Sequence, residues 1–373
     1  MRLSNIVTLG IKEMRSLMRD PFMVGLIVYA FTVAIYTAAT AMPETLNKAP
    51  IDVVDEDGSA LSTRLMSAFY PPYFTAPTRI TTAQMDTRMD RGETTFAVDI
   101  PPNFQRDVLA GRHPSIQLNV DATRISQAFT GAGYIQTIIT TETAAFLRRY
   151  RAETVLPVDL ELRMRFNPSL NKSWFGAIVE VINQVTLLSI ILTGAALIRE
   201  REHGTIEHLL AMPVTPFEIM ASKIWSMGLV VLLSCALALT LVVQGILSIP
   251  VQGSVALFLL AAAINLFATC SLGIFLATMA RSMPQFALIV ILVIVPLEML
   301  SGGVTPRENM PALVRDIMLV APTTHFVLLS QSVLFRGSGL SVVWPQLLAL
   351  VAIGGVLFGI ALARFRKAIG EMV

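Results

Sequence analysis

Residues 174–198, WFGAIVEVINQVTLLSIILTGAALI, run without a linker into residues 199–223, REREHGTIEHLLAMPVTPFEIMASK, and another apolar run begins at 224. The first stretch is long enough to cross a hydrocarbon core of about 30 Å as a helix. The second packs Arg, Glu, His and Pro into a short polar knot that no bilayer core tolerates. A charged break of this length between two spans places their ends on one face of a membrane, and that reading decides the fold.

Composition supports it. The chain has 373 residues, of which 54% are hydrophobic and 14% charged, and its mean hydropathy is +0.65. Those values lie outside the range of a soluble globular protein. The net charge of +2, with no long basic run, gives no footprint for nucleic acid. Apolar runs at 22–42, 174–198, 224–247, 255–279, 285–303 and 343–363 predict six spans. The expected fold class is an α-helical integral membrane protein with a large α/β extracytoplasmic domain, 43–173, between the first and second spans.

Lys and Arg in the short loops set the orientation. Lys12, Arg15 and Arg19 precede the first span, Arg199, Arg201 and Lys223 flank the charged loop, Arg281 sits in the fourth-to-fifth turn, and Arg364, Arg366 and Lys367 follow the last span. The opposite short loop, SIPVQGS at 248–254, has no basic residue. Both termini are therefore expected to be cytoplasmic, with 364–373 as a cytoplasmic tail. Ala39-Thr40-Ala41 resembles a leader cleavage site, but the preceding apolar run is longer than a leader's, which favours an uncleaved signal anchor.

Residues 1–21 carry Leu3, Ile6, Val7, Met14, Leu17 and Met18 at helical spacing, with Lys12, Glu13, Arg15 and Arg19 on the remaining surface, and predict an interfacial amphipathic helix ended by Pro21. In the external segment PIDVVDED, TTFAVDIPP and SIQLNVD read as strands; SALSTRLMSAF, TTAQMDTRMDRG, NFQRDVLAGR and RISQAFTGAGYIQTIITTETAAFLRRY read as helices. Asp55, Glu56, Asp57 and Gly58 lack calcium-loop spacing and read as a turn and helix cap, and Asn171-Lys172-Ser173 as a helix start rather than a glycosylation site. The segment 304–342 mixes polar and apolar stretches, as expected of short helices dipping into the outer leaflet or of a surface hairpin.

No phosphate loop, zinc-protease spacing of histidines or nucleophile elbow occurs, so no catalytic role, metal or cofactor is expected in this chain. Cys235 and Cys270 lie in apolar runs as small buried hydrophobes. Ionisable groups inside spans mark pathways, and amides there line them or, more commonly, hydrogen-bond between helices. The candidates are Glu180, Asn183 and Gln184 in the second span, Asn265 in the fourth and Glu298 in the fifth, with Thr186 beside the first three.

Within the charged loop, Gly204 ends the second span's helix, Thr205 caps a short helix TIEHLLAM, Pro213 and Pro216 stop it, and PFEIMASK restarts a helix into the third span. The stretch IREREHGTIEHLLAMPVTPFEIMASKIW resembles the hallmark loop of the type-2 ABC exporter permeases, the ABC-2 family, with its R-E-x-E-x-G-T-x-E-x-L pattern followed by P-[VI]-[ST], Glu and Lys. IPPNFQRDVLAGR and NVDATRISQAF resemble that family's external domain. The resemblance implies a half-transporter working with a second permease copy or paralogue, with cytoplasmic ABC ATPase subunits that bind ATP and Mg, and in some cases with a periplasmic adaptor protein. It implies export of drugs, lipids or polysaccharides. It also implies an ATPase-coupling region at Glu200, Arg201, Glu202, Gly204, Thr205, Glu207, Leu210 and Pro213, with the N-terminal helix as a connecting helix beside it. From the residues alone two other readings stay open, a proton-coupled secondary transporter using Glu180 or Glu298, and a membrane-anchored receptor or adaptor.

Overall fold

Asp20 and Pro21 separate two helices at the start of the chain. The N-terminal helix, Leu3–Met18, ends, and Asp20 Oδ1 accepts hydrogen bonds of 3.1 Å from the amides of both Phe22 and Met23. Pro21, with its φ already near the helical value and no N–H to satisfy, then opens the first long helix, Pro21–Thr40. The computed structural model describes residues 3–40, 48–121, 125–150, 172–202, 213–305 and 307–370. They fall into two units, Met1–Met42 with Met164–Val373, and Pro43–Arg163.

In the first unit the long apolar helices continue with Lys172–Glu202, Pro216–Ile246, Val255–Met279 and Leu340–Gly370. Five helices among the described residues are long and apolar enough to cross a bilayer. Ala312–Val320 and Pro322–Leu334, bent by 92° at their break, make up to a sixth if counted as one span. The run expected as the fifth span, 285–303, is a shorter helix, Met283–Met299, of 17 residues. Gly302, at φ 98° in a conformation that side chains resist, lies in the bends that follow it. The helix Lys172–Glu202 is the inner member of the bundle, with 83% of its apolar window buried, against 22% for Leu340–Ala368 and 28% for Pro21–Thr40. It crosses Val255–Met279 closely: a Cβ on Gly273 would lie 2.6 Å from the Ile190 carbonyl oxygen, and Ser189 Oγ donates to Thr269 Oγ1 at 2.6 Å. Small residues and hydroxyl pairs of this kind hold helices together where lipid offers no hydrophobic drive. Leu288, Ile291 and Leu292 on Met283–Met299, and Val351, Val356 and Ile360 on the last helix, stay exposed, as lipid-facing sides require.

The second unit is an α/β layer structure. Its four-stranded sheet has the order β2-β1-β3-β4, with β1 (Ile51–Asp55) parallel to β2 (Thr78–Ile80) and β3 (Phe96–Ile100), and β4 (Gln117–Val120) antiparallel to β3. The three-residue β2 gives too short a pattern to be read from sequence, and none was expected there. One face of the sheet packs Val53, Phe96 and Val98 against Leu61, Leu65 and Ile135; the other packs Val54, Ile80, Met85 and Ala97. Helices cover the sheet, among them Ala60–Ala68, capped by Ser59, Thr82–Asp90, Phe104–Leu109 and Ile125–Tyr150. Asp55 Oδ1 accepts from the amides of Asp57 and Gly58, so the acidic cluster is a side-chain-closed turn.

Candidate functional site

The helix Lys172–Glu202 outlasts its apolar run by four charged residues, and each of the four finds a different partner. Arg199 Nη1 pairs with Asp20 Oδ2 at 2.6 Å, on the same aspartate that caps the first long helix. Glu200 enters a buried ion cluster. Arg201 Nη1 donates to the carbonyls of Ala277 and Ala280 at 3.3 and 2.8 Å, at the C-terminal end of Val255–Met279. Glu202 Oε1 accepts from the amide of Met283, 2.8 Å away, at the N-terminus of Met283–Met299. A cation thus sits on the electronegative end of one helix and an anion on the electropositive end of the next, which is the favourable match in both cases.

The cluster around Glu200 joins three helices. Lys223 Nζ lies 2.7 Å from Glu200 Oε2 and 3.2 Å from Glu13 Oε1, while Lys12 Nζ lies 2.9 Å from Glu200 Oε1 and 3.5 Å from Glu13 Oε1. Two lysines and two glutamates balance in charge. Lys223 is 1% exposed, and Glu13 and Glu200 are 7% and 8% exposed. Burial pulls Lys12 down, but the hydrogen bond and charge of Glu200 and the charge of Glu13 more than reverse it, leaving Lys12 above the usual lysine value. Burial pushes the Glu13 carboxyl up, with Lys223 opposing and Glu200 adding to the rise. Glu13 does not occupy the open polar surface that the amphipathic pattern of the N-terminal helix predicts. It turns inward because its partner Lys223 is held at the opposite wall. Trp225 Nε1 donates to the Ile6 carbonyl at 3.0 Å, and Gly10 meets the Trp225 ring so closely that any Cβ there would collide with it.

Pro213 lies in an exposed bend. Thr215 then caps Pro216–Leu237 in a reciprocal arrangement, its amide donating to Glu218 and its hydroxyl accepting from the Glu218 amide. Of the candidate coupling residues, Glu200, Arg201, Glu202 and Pro213 are described; Gly204, Thr205, Glu207 and Leu210, with the helix expected over TIEHLLAM, lie outside the described residues, as does Asn171. Sequence reasoning missed Lys12, Glu13 and Asp20 as partners of the charged helix end, and gave Lys223 no partner. The signals for Lys223 were its place just before an apolar run and the Lys that closes the loop motif.

The candidate pathway residues divide. Gln184 Nε2 donates to Glu180 Oε1 at 2.5 Å, one helical turn apart, and Glu298 stands on Met283–Met299, which packs against the helix that carries them. Asn183 is half-buried on the same helix as Glu180 and Gln184. Asn265 stands apart on Val255–Met279, one turn before the Thr269 that pairs with Ser189. It is 0% exposed, and neither of its side-chain polar atoms has a hydrogen-bond partner among the described residues. Gln184 Oε1, Glu298 Oε1 and the hydroxyls of Thr323, Thr324 and Ser330 share that condition. No group of three metal-ligating side chains occurs among the described residues.

Residues 22–363 match the family described as ABC-2 family transporter protein. The chain is 60% identical over 370 residues, 99% of each chain, to the "Inner membrane transport permease YhhJ" of Escherichia coli strain K12. It is 26% identical over 369 residues to the "Probable multidrug ABC transporter permease YbhR" of the same strain, covering 96% of this chain and 98% of the relative. To the "Probable multidrug ABC transporter permease YbhS" it is 25% identical over 375 residues, 96% of each. With a match across nearly its whole length and a bundle of long apolar helices behind it, the chain belongs to the ABC-2 family of transporter permeases.

Proposed function

We propose that this chain is the membrane-spanning permease subunit of an ATP-driven exporter, itself non-catalytic and paired with a second copy or a paralogue. Separate cytoplasmic ATPase subunits supply the energy, and the exported substrate is drug-like, lipid or otherwise amphipathic. The relatives' names, an inner-membrane permease and two probable multidrug permeases, support that class and an inner-membrane location. The observation that carries the reading is the buried ion cluster. Glu200 and Lys223 stand on the two helices that flank 203–212, and Glu13 and Lys12 bind both to the N-terminal helix. A force applied to the loop by a cytoplasmic partner would therefore be passed to the second and third spans together rather than lost in a flexible hinge.

The test is co-purification of the tagged chain in mild detergent, with mass spectrometric identification of bound proteins and an ATPase assay. An ABC ATPase should accompany the chain and be lost on substituting Glu202 and Glu207. A chain that reproducibly comes without an ATPase, even after crosslinking, would overturn the proposal. The carboxyls of Glu180 and Glu298, carried on two helices that pack together, favour one second reading, proton-coupled transport. Substituting both by Gln abolishes transport under that reading and leaves ATP-dependent transport running under the first.

A further inference from the structure

The α/β unit carries a cleft of about 780 Å³ between Phe104–Leu109, β4 and Ile125–Tyr150. This is the size of small-molecule sites, which span about 300–1,000 Å³. Phe104, Val108, Ile135 and Ile139 form much of its apolar wall. The lining also carries charged and polar side chains. Arg112 and His113 are lining residues and both are exposed. Asp107 Oδ1 takes contacts from two guanidiniums, Arg106 at 3.3 Å and Arg112 at 3.2 Å. One carboxylate shared between two arginines leaves a net positive charge beside the Arg112 that lines the cleft. Thr143, another lining residue, has a buried hydroxyl without a hydrogen-bond partner among the described residues. Leaving a buried hydroxyl unpaired and an apolar wall open costs free energy that a bound molecule would recover.

We propose that this cleft is a binding site for a single-chain amphiphile, an apolar tail with one anionic head group of the fatty-acid type. The tail lies along Phe104, Val108, Ile135 and Ile139, and the head meets Arg112 and His113. The site stands on residues of the α/β unit alone, so it holds whether or not an ATPase drives the spans.

The experiment uses the full chain in phosphatidylcholine nanodiscs with a diazirine-bearing palmitic acid as probe, followed by illumination and peptide mass spectrometry. Labels should fall on peptides covering 104–118 and 132–147, and unlabelled palmitic acid should compete where hexadecanol, with the same tail and no charge, does not. Arg112→Glu, a change at an exposed side chain that cannot empty the core, should lower labelling of those peptides about tenfold, the equivalent of losing one charge-assisted hydrogen bond. Filling the cleft with Ala144→Trp should do the same, while labelling of the spans stays constant and serves as the internal reference. Labelling confined to the spans would overturn the proposal. So would cleft labelling that both variants leave unchanged, or that hexadecanol competes as well as palmitic acid does.

Discussion

The helix Lys172–Glu202 has two polar ends, and they are built in opposite ways. Glu180 and Glu200 are twenty residues apart, about 30 Å along a helix. At the Glu200 end the described buried charges meet opposite charges at 2.7 to 3.2 Å. Toward the Glu180 end, and on the helices packed beside it, buried polar atoms of Gln184, Glu298, Asn265, Thr323 and Thr324 lack partners. A paired buried ion cluster contributes little net stability, yet breaking it is costly, so it fixes geometry. Unpaired buried amides and hydroxyls fix nothing and cost free energy as they stand. The difference separates a paired junction from a set of unpaired buried groups.

The largest effect expected from this contrast is at Lys223. Lys223→Met leaves Glu13 and Glu200 facing each other without their buried cation, and should cost about 3–5 kcal/mol, read as a fall in the melting midpoint of the detergent-solubilised protein. Replacing the three buried members together, Glu13→Gln, Glu200→Gln and Lys223→Met, should restore most of that loss. A Lys223→Met protein that melts like the parent would dissolve the contrast from the charged side.

Asn265→Leu attacks it from the other side. Removing a buried amide that has no partner should raise stability by about 1–2 kcal/mol while reducing transport. A loss of stability instead would mean that Asn265 is satisfied in the working protein and that the two ends are not built differently after all.

The smallest effect lies in the α/β unit, which has its own unpaired acid, Asp99. Burial, and then the charge of Glu56, raise the Asp99 carboxyl above its usual value. A raised folded-state value means that the folded unit holds its proton more tightly than the unfolded chain. Its stability contribution is complete below the ordinary aspartate value and is lost as pH climbs through the raised one. Asp99→Asn should therefore slow hydrogen exchange along Phe96–Ile100 at neutral pH by less than ~1 kcal/mol equivalent, and leave exchange in strong acid unchanged. An effect of the same size at both pH values would point to packing rather than charge.

Much of the molecule could be read from local pattern. The apolar runs locate the long helices, Ser59 and Thr215 mark helix starts, and the alternating runs around Val53 and Val98 mark strands. The loop motif singled out Glu200, Arg201 and Glu202 before their partners were known. What the sequence hid is tertiary. Lys12 and Glu200 are 188 residues apart in the chain, and no periodicity reports such a pairing. The amphipathic pattern put Glu13 on the surface because a pattern records which side of a helix is polar, not whether a buried lysine waits there. Glu180 and Glu298 were picked separately for lying inside apolar runs; that their two helices pack together is a tertiary fact. The end of Met283–Met299 ahead of Gly302 was equally unreadable, because apolar residues continue to Leu300 and a hydropathy pattern does not register a left-handed glycine.

Arg199, Glu200, Arg201 and Glu202 leave their helix at successive turns of about 100°, so together they point in all directions around its axis. Their partners sit on five other helices: Asp20 on the first span's cap, Glu200's two lysines on the N-terminal and third, and the ends of the fourth and fifth. A mast stayed on every side has no direction in which it leans freely. The base of this helix can tilt only by carrying its neighbours along, which makes its foot the fulcrum of the bundle.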